Sequence, residues 1–326
     1  MKLRTITLIG GMIATAVLAG TAGAKAEDAY PNRVIHLIVP YPPGGGADTV
    51  ARVVAQKLGE NIHDTIIIEN RAGAATNIGM EATVRATPDG YTLGLATSNL
   101  AINPPLYPNM KFHAKQDLAP VGLLTKGLYV LVVNKSVPAN SVKELIALAK
   151  AKPGTLNAAI AGFGTPGHLA LAQFNMLTGA NLTPIPYQGA APALNSVLSD
   201  TSQVLFISMA SARPFVKAGS MRMLAITSSE HSAEMPSVPN AKEAGLPGDE
   251  IFEWYGIVAP KGVDPKHIAF LSTELRKVLT DADIQKKLSN LGAEASPDTH
   301  QQFGAFIDEQ SKKLGEIVRR SGLKAQ

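Results

Sequence analysis

Short apolar runs alternate along this chain with stretches in which apolar residues recur every three or four positions. Val34-Ile35-His36-Leu37-Ile38-Val39 is nearly continuous, stops at Pro40 and is followed by Gly44-Gly45-Gly46. From Asp48 to Leu58 the apolar residues fall at Val50, Val53, Val54 and Leu58, which is helical spacing. Ile66-Ile67-Ile68, Tyr91 to Ala96 and Leu128 to Val133 read as three more strands. The third strand of the chain runs into polar Thr97-Ser98-Asn99, and the fourth ends at Asn134. Ser141 is placed to cap a helix, with Glu144 at the capping-box position.

The second half repeats the theme. Leu156 to Ala161 leads into Gly162-Phe163-Gly164-Thr165-Pro166-Gly167-His168 and a helix through Leu177. Val204 to Ile207, Leu224 to Thr227 and Trp254 to Ala259 are further strands, and helices over about 265–290 and 299–321 close the chain. Strand, glycine loop and helix in repetition predict an α/β fold with a mostly parallel sheet. The pattern divides into two lobes: 27–125 plus 241–326, and 126–240. The chain crosses between them near Val130–Val133 and again near 241–256. Two crossings make a hinge, and the cleft between lobes is where a ligand would bind.

The first 26 residues stand apart. Lys2 and Arg4 precede an apolar run from Ile6 to Leu18, and Ala24-Lys25-Ala26 offers a cleavage site before Glu27. That is the pattern of a secretory signal peptide, with an apolar run too short to span a bilayer. Removing Lys2, Arg4 and Lys25 lowers the formal charge from +4 to +1, so the basicity is largely a targeting signal. No basic run interleaved with aromatics remains, and nucleic acid is not an expected partner. The absence of cysteine excludes disulfides, thiol nucleophiles and Cys-type zinc sites. The expectation is an exported, periplasmic monomer.

Two segments carry candidate chemistry. Pro42-Pro43-Gly44-Gly45-Gly46-Ala47-Asp48 joins a strand to a helix, and such a helix start directs unpaired N–H groups at an anion. A tight turn with an Asp cap explains the same residues. It is neither a Walker A loop nor a dinucleotide fingerprint, so no nucleotide cofactor is expected. The Gly162–His168 loop is a second glycine loop at a helix start, with Thr165 and His168 as side-chain donors. Two such loops in different lobes would hold one carboxylate from opposite sides. Ser98-Asn99 and Tyr187-Gln188 end strands and offer polar groups. Neither a nucleophile elbow nor a metal-spaced cluster is present. Asp48, Ser98 and His168 leave a hydrolase open as an alternative, and a ligand sensor docking on a signalling protein is another.

Several motifs together resemble a known family. Ile38-Val39-Pro40-Tyr41-Pro42-Pro43-Gly44-Gly45-Gly46-Ala47-Asp48, Glu69-Asn70-Arg71 and Pro88-Asp89-Gly90-Tyr91-Thr92-Leu93 are similar to Bug-type (TctC-like) periplasmic solute receptors of tripartite tricarboxylate transporters. So are Gly164-Thr165-Pro166-Gly167-His168-Leu169, Pro186-Tyr187-Gln188-Gly189-Ala190-Ala191-Pro192 and Glu243-Ala244-Gly245-Leu246-Pro247-Gly248. The resemblance implies a two-lobed periplasmic-binding-protein fold of the type II class with a small organic carboxylate in the cleft. It implies a partnership with the transporter's membrane subunits, and no catalysis, cofactor or metal. Carried over by position, the loops supply Tyr41, Pro43, Gly44, Ala47 and Asp48, then Gly164, Thr165 and His168, with Ser98, Asn99, Tyr187 and Gln188 lining the cleft.

The chain departs from its relatives at Ala158, Ile160 and Phe163, and at Ile207, Ser208 and Met209, where polar residues are common. If these line a distal pocket, an unpaired amino or hydroxyl group there costs about 1–3 kcal/mol. The expected ligand is then an aromatic carboxylate, such as terephthalate, rather than an amino acid or citrate.

Overall fold

The computed structural model describes residues 30–229, 231–232, 235–246, 248 and 250–323. The expected signal peptide lies outside the described residues. The chain runs β1 (Ile35–Val39), α1 (Gly46–Ile62), β2 (Ile66–Asn70), a 3-10 turn (Ala74–Thr76), α2 (Asn77–Val84), β3 (Thr92–Thr97), α3 (Asn99–Leu106), α4 (Ala114–Asp117) and β4 (Leu118–Asn134). It continues through α5 (Val142–Ala151), β5 (Asn157–Ile160), α6 (Pro166–Thr178), β6 (Thr183–Pro186), α7 (Ala190–Leu198), β7 (Val204–Ser208), α8 (Met209–Lys217) and β8 (Met221–Ile226). It ends with β9 (Phe252–Pro260), α9 (Pro265–Thr280), α10 (Ala282–Asn290), β10 (Glu294–Ala295) and α11 (His300–Ser321).

The strands form one path, β2-β1-β3-β9-β4-β7-β5-β6, with β8 and β10 also on β4. The flanks are parallel, as strand–helix–strand units require. The centre is not: β9 is antiparallel to β3 and β4, and β7 and β8 are antiparallel to β4. The expectation of a mostly parallel sheet therefore holds only at the edges. β4 and β9 are long strands carrying the chain between the halves, not the products of helical crossovers. β4 pairs β9 from Leu118 to Leu128, then β7 and β8 from Tyr129 to Asn134. Its first half escapes the sequence pattern because register shifts near Pro120 and Leu123 break the alternation.

One predicted helix divides. Asp281 is extended (ψ 127°), and its carboxylate accepts from the N–H groups of Asp283 and Ile284, so α9 ends and α10 begins there. Ser141 does cap α5, accepting from Glu144 N–H at 3.2 Å. The Glu144 carboxylate reaches back one residue further than a capping box requires, to Asn140 N–H.

The first core packs β1, β3 and β9 against α1, α9 and α10. Another packs β5, β7 and α6 with α3 and the end of α11, through Leu314, Ile317 and Val318. The start of α11 instead places Phe303 and Ile307 with Trp254. Thus α11 is buried against both halves of the sheet.

Candidate ligand-binding site

The loop after β1 is built around Asp48. This side chain is 2% exposed, and its carboxylate accepts from Gly44 N–H, Arg52 Nε and Asn70 Nδ2, each at 2.9 Å. Asn70 Nδ2 also donates to Tyr41 O at 2.9 Å, fastening the other end of the loop. Burial alone would raise this carboxyl, but the hydrogen bonds from Arg52, Gly44 and Asn70 outweigh it and hold it down at about 2. Asp48 is thereby engaged within the protein and shapes the loop. Gly45 precedes α1 without a side-chain cap, so the first-turn amides of Gly46 and Ala47 have no intrahelical acceptor. Pro43, Gly44 and Gly46 are exposed, whereas Ala47 is buried.

The second glycine loop is organised by its own side chains. Gly162 and Gly164 take φ of 133° and 72°, a region that favours glycine. Thr165 donates to Gly162 O at 2.8 Å and accepts from His168 N–H, and Pro166 opens α6. His168, 5% exposed, accepts Gly164 N–H on Nδ1 at 3.2 Å, which puts its ring proton on Nε2 when the ring is neutral. Burial pushes its pKa down to about 4, so the ring is neutral at physiological pH. The Phe163 ring packs edge-on against it at 5.4 Å.

A hydrogen-bonded chain joins the two loops. Tyr41 hydroxyl donates to Asn99 Oδ1 (3.2 Å), Asn99 Nδ2 donates to Gly164 O (3.1 Å), and Gly164 N–H reaches His168. Ser98, 1% exposed, bonds Trp254 N–H and Phe252 O instead, anchoring the end of β3 to β9. Asp48, Ser98 and His168 each have other partners and form no triad.

Not every expected residue joins this cluster. Ile207 (3% exposed) and Met209 (5%) pack with Val130, Leu194 and Ile226, and Ala158 and Ile160 lie in the core under α6. These four side chains are buried in core packing. Ser208 bonds Ser211 at 2.9 Å. Tyr187 is half-buried and directs its hydroxyl to Ser202, while Gln188 is exposed. Large surface grooves of about 710 and 720 Å³ lie elsewhere, beside His36, Glu69 and Arg71 and beside Arg52, Gln56 and His63.

Three residues missed in the sequence sit at the junction. Glu253 and Tyr255 alternate onto one face of β9, and Tyr129 lies on β4 where pairing passes from β9 to β7. A Cβ at Gly46 would lie 3.8 Å from the Tyr255 hydroxyl, and one at Gly167 would lie 3.5 Å from the Tyr129 ring. The start of α1 therefore adjoins Tyr255 and the start of α6 adjoins Tyr129. Burial pushes the phenols of Tyr41, Tyr129 and Tyr255 up, and the Glu253 carboxylate adds to each. Burial also pushes Glu253 up, partly offset by a hydrogen bond from Tyr255. An acid inside the aromatic segment Phe252-Glu253-Trp254-Tyr255 was the available signal.

A mixed sheet whose long central strands bring two glycine-led helix starts together is the architecture of a periplasmic binding protein. Solved structures of that kind align over most of the chain. One is a Rhodopseudomonas palustris protein (Rpa4515) with adipate, with TM-score 0.83 and 29% identity, covering 90% of this chain and 99% of that one. Another is MatC of the same organism with bound malate, with TM-score 0.79 and 28% identity, covering 89% and 100%. The family model for the tripartite tricarboxylate transporter family receptor matches residues 50–323, and this chain belongs to that family. Protein BugT of Bordetella pertussis is 35% identical over 323 residues, 98% of each chain. The family and its structural neighbours are binding proteins, not enzymes. The family is periplasmic, and no helix among the described residues is long and apolar enough to cross a membrane.

Proposed function

We propose that this chain is an exported receptor that holds a small organic carboxylate between the starts of α1 and α6 and delivers it to the membrane subunits of a tripartite-type transporter. The hydrogen-bonded chain from Tyr41 through Asn99 and Gly164 to His168 carries this reading. It brings two helix N-termini, each favourable to negative charge, to one place. The adipate and malate in related structures support a carboxylate as the common ligand group. In this reading, residues 27–125 plus 241–326 form one lobe and residues 126–240 the other, hinged at β4 and β9, and residues 1–26 are removed on export.

The rings of Tyr41, Tyr129, Tyr255 and Phe163 around the site favour a flat ligand body. An aromatic carboxylate therefore stays in the proposal on these rings, not on the apolar positions now placed in the core. Thermal denaturation of the protein from the periplasmic fraction, screened against mono-, di- and tricarboxylates, tests the reading. A ligand at a hundredfold excess over its Kd adds about 2.7 kcal/mol of stability. The absence of a shift with every carboxylate tried would sink it. Loss of uptake of that ligand in cells lacking this chain tests the transporter partnership.

A further inference from the structure

Glu253 is an acid in a place that should favour anions. It lies on β9 two residues from Tyr255, on the same face, and Tyr255 adjoins the start of α1. Its ladder partner, Gly127, brings no side chain beside it, and Tyr129 follows two residues along β4, next to the start of α6. Glu253 is thus set between the two helix starts that would hold a carboxylate. Its carboxylate lies beside the Tyr255 hydroxyl, and its charge is also felt at Tyr41 and Tyr129.

A ligand with a second carboxylate at this point would meet Glu253 as a like charge, which is unfavourable. A protonated nitrogen would instead be attracted to the acid and to the faces of the surrounding tyrosine rings. On the proposed receptor role, we infer that Glu253 is a specificity-determining residue that selects zwitterions, molecules with one carboxylate and one protonated nitrogen, over dicarboxylates. The carboxylate lies at the helix starts, and the nitrogen donates to Glu253. The net charge entering the cleft is then zero, and the nitrogen sets a positive charge against Glu253.

Isothermal titration calorimetry with shape-matched pairs tests this. The probes are 4-(aminomethyl)benzoate against terephthalate and 6-aminohexanoate against adipate. They are titrated into the full chain after export and into Glu253→Gln. For the unaltered protein, the amine-bearing member of at least one pair should bind about tenfold more tightly or better, about 1.4 kcal/mol. In Glu253→Gln that ratio should collapse to near one or invert. The inference is overturned if the dicarboxylates bind the unaltered protein as tightly as their amine twins, or if the ratio survives the substitution. Should Glu253→Gln not fold, the ratio in the unaltered protein decides alone. If neither these probes nor malate nor citrate binds, the receptor reading itself fails and takes this inference with it. Binding of dicarboxylates alone keeps the receptor and removes the selectivity.

Discussion

At the scale of single residues, two titrating groups of the glycine loops, His168 and Asp48, act on stability in acid. His168 has an ordinary pKa of 6.5, lowered by burial to about 4 in the folded chain. The unfolded chain therefore takes up a proton first as pH falls. The stability of the neutral buried ring is fully present above pH 6.5 and is lost progressively down to about 4. The total loss is on the order of 3 kcal/mol. Melting temperature followed from pH 7.5 to 4.5 should fall, and His168→Asn should flatten the slope, because Oδ1 can still accept Gly164 N–H. An equal slope in both proteins would assign the acid sensitivity elsewhere. Asp48 behaves likewise at lower pH: its stabilisation is present above its ordinary value of 3.8 and lost as pH falls through about 2. Asp48→Asn keeps the shape but loses the charge-assisted bond to Arg52, and should cost about 1–3 kcal/mol in chemical denaturation at pH 7. The importance of Asp48 was legible in the sequence, but its role was not. An Asp at a helix start reads equally as a cap, a ligand contact or a loop brace, and only its three partners decide. Glu253, Tyr129 and Tyr255 were not singled out, because their significance comes from pairing between strands more than a hundred residues apart.

Among the elements, the helix starts were among the most legible and the first half of β4 among the least. Pro166 and Thr165 announce α6, and the glycine run announces α1, since these signals are local. The first half of β4 does not announce itself, because Pro120, Gly122 and Gly127 interrupt its alternation while the neighbouring strands keep it paired. The two helix starts also differ in tolerance. A Cβ at Gly46 would meet nothing closer than 3.8 Å, so Gly46→Ala should leave stability within about 0.5 kcal/mol. A Cβ at Gly167 would overlap Phe206 O, backbone that cannot swing aside, so Gly167→Ala should cost about 1–3 kcal/mol. Urea denaturation of both variants checks the pair. Equal midpoints would mean that α6 is free to move off β7, and the close packing that fixes its start beside Tyr129 would then not operate.

For the whole molecule, the consequential bond is the one from Asn99 to Gly164, because it ties the end of β3 to the loop before α6. Asn99 is 4% exposed and also receives the Tyr41 hydroxyl, so Asn99→Ala leaves groups of both loops without that partner. Lost inside a single core, such a pair would cost about 1–3 kcal/mol of global stability. Lost between two lobes, it would instead favour opening, and the cost would appear in binding, because affinity is reduced by the fraction of molecules that are not competent to bind. The two cases are separable. Small-angle scattering of ligand-free Asn99→Ala should give a larger radius of gyration than the unaltered chain. Calorimetry should show affinity for its best carboxylate reduced about tenfold, with the melting temperature of the free protein little changed. A lower melting temperature with unchanged dimensions and affinity would place Asn99 in a rigid core. The packing of α3 and α11 across the two halves of the sheet would then hold them together, and a hinge at β4 and β9 would have nothing to release.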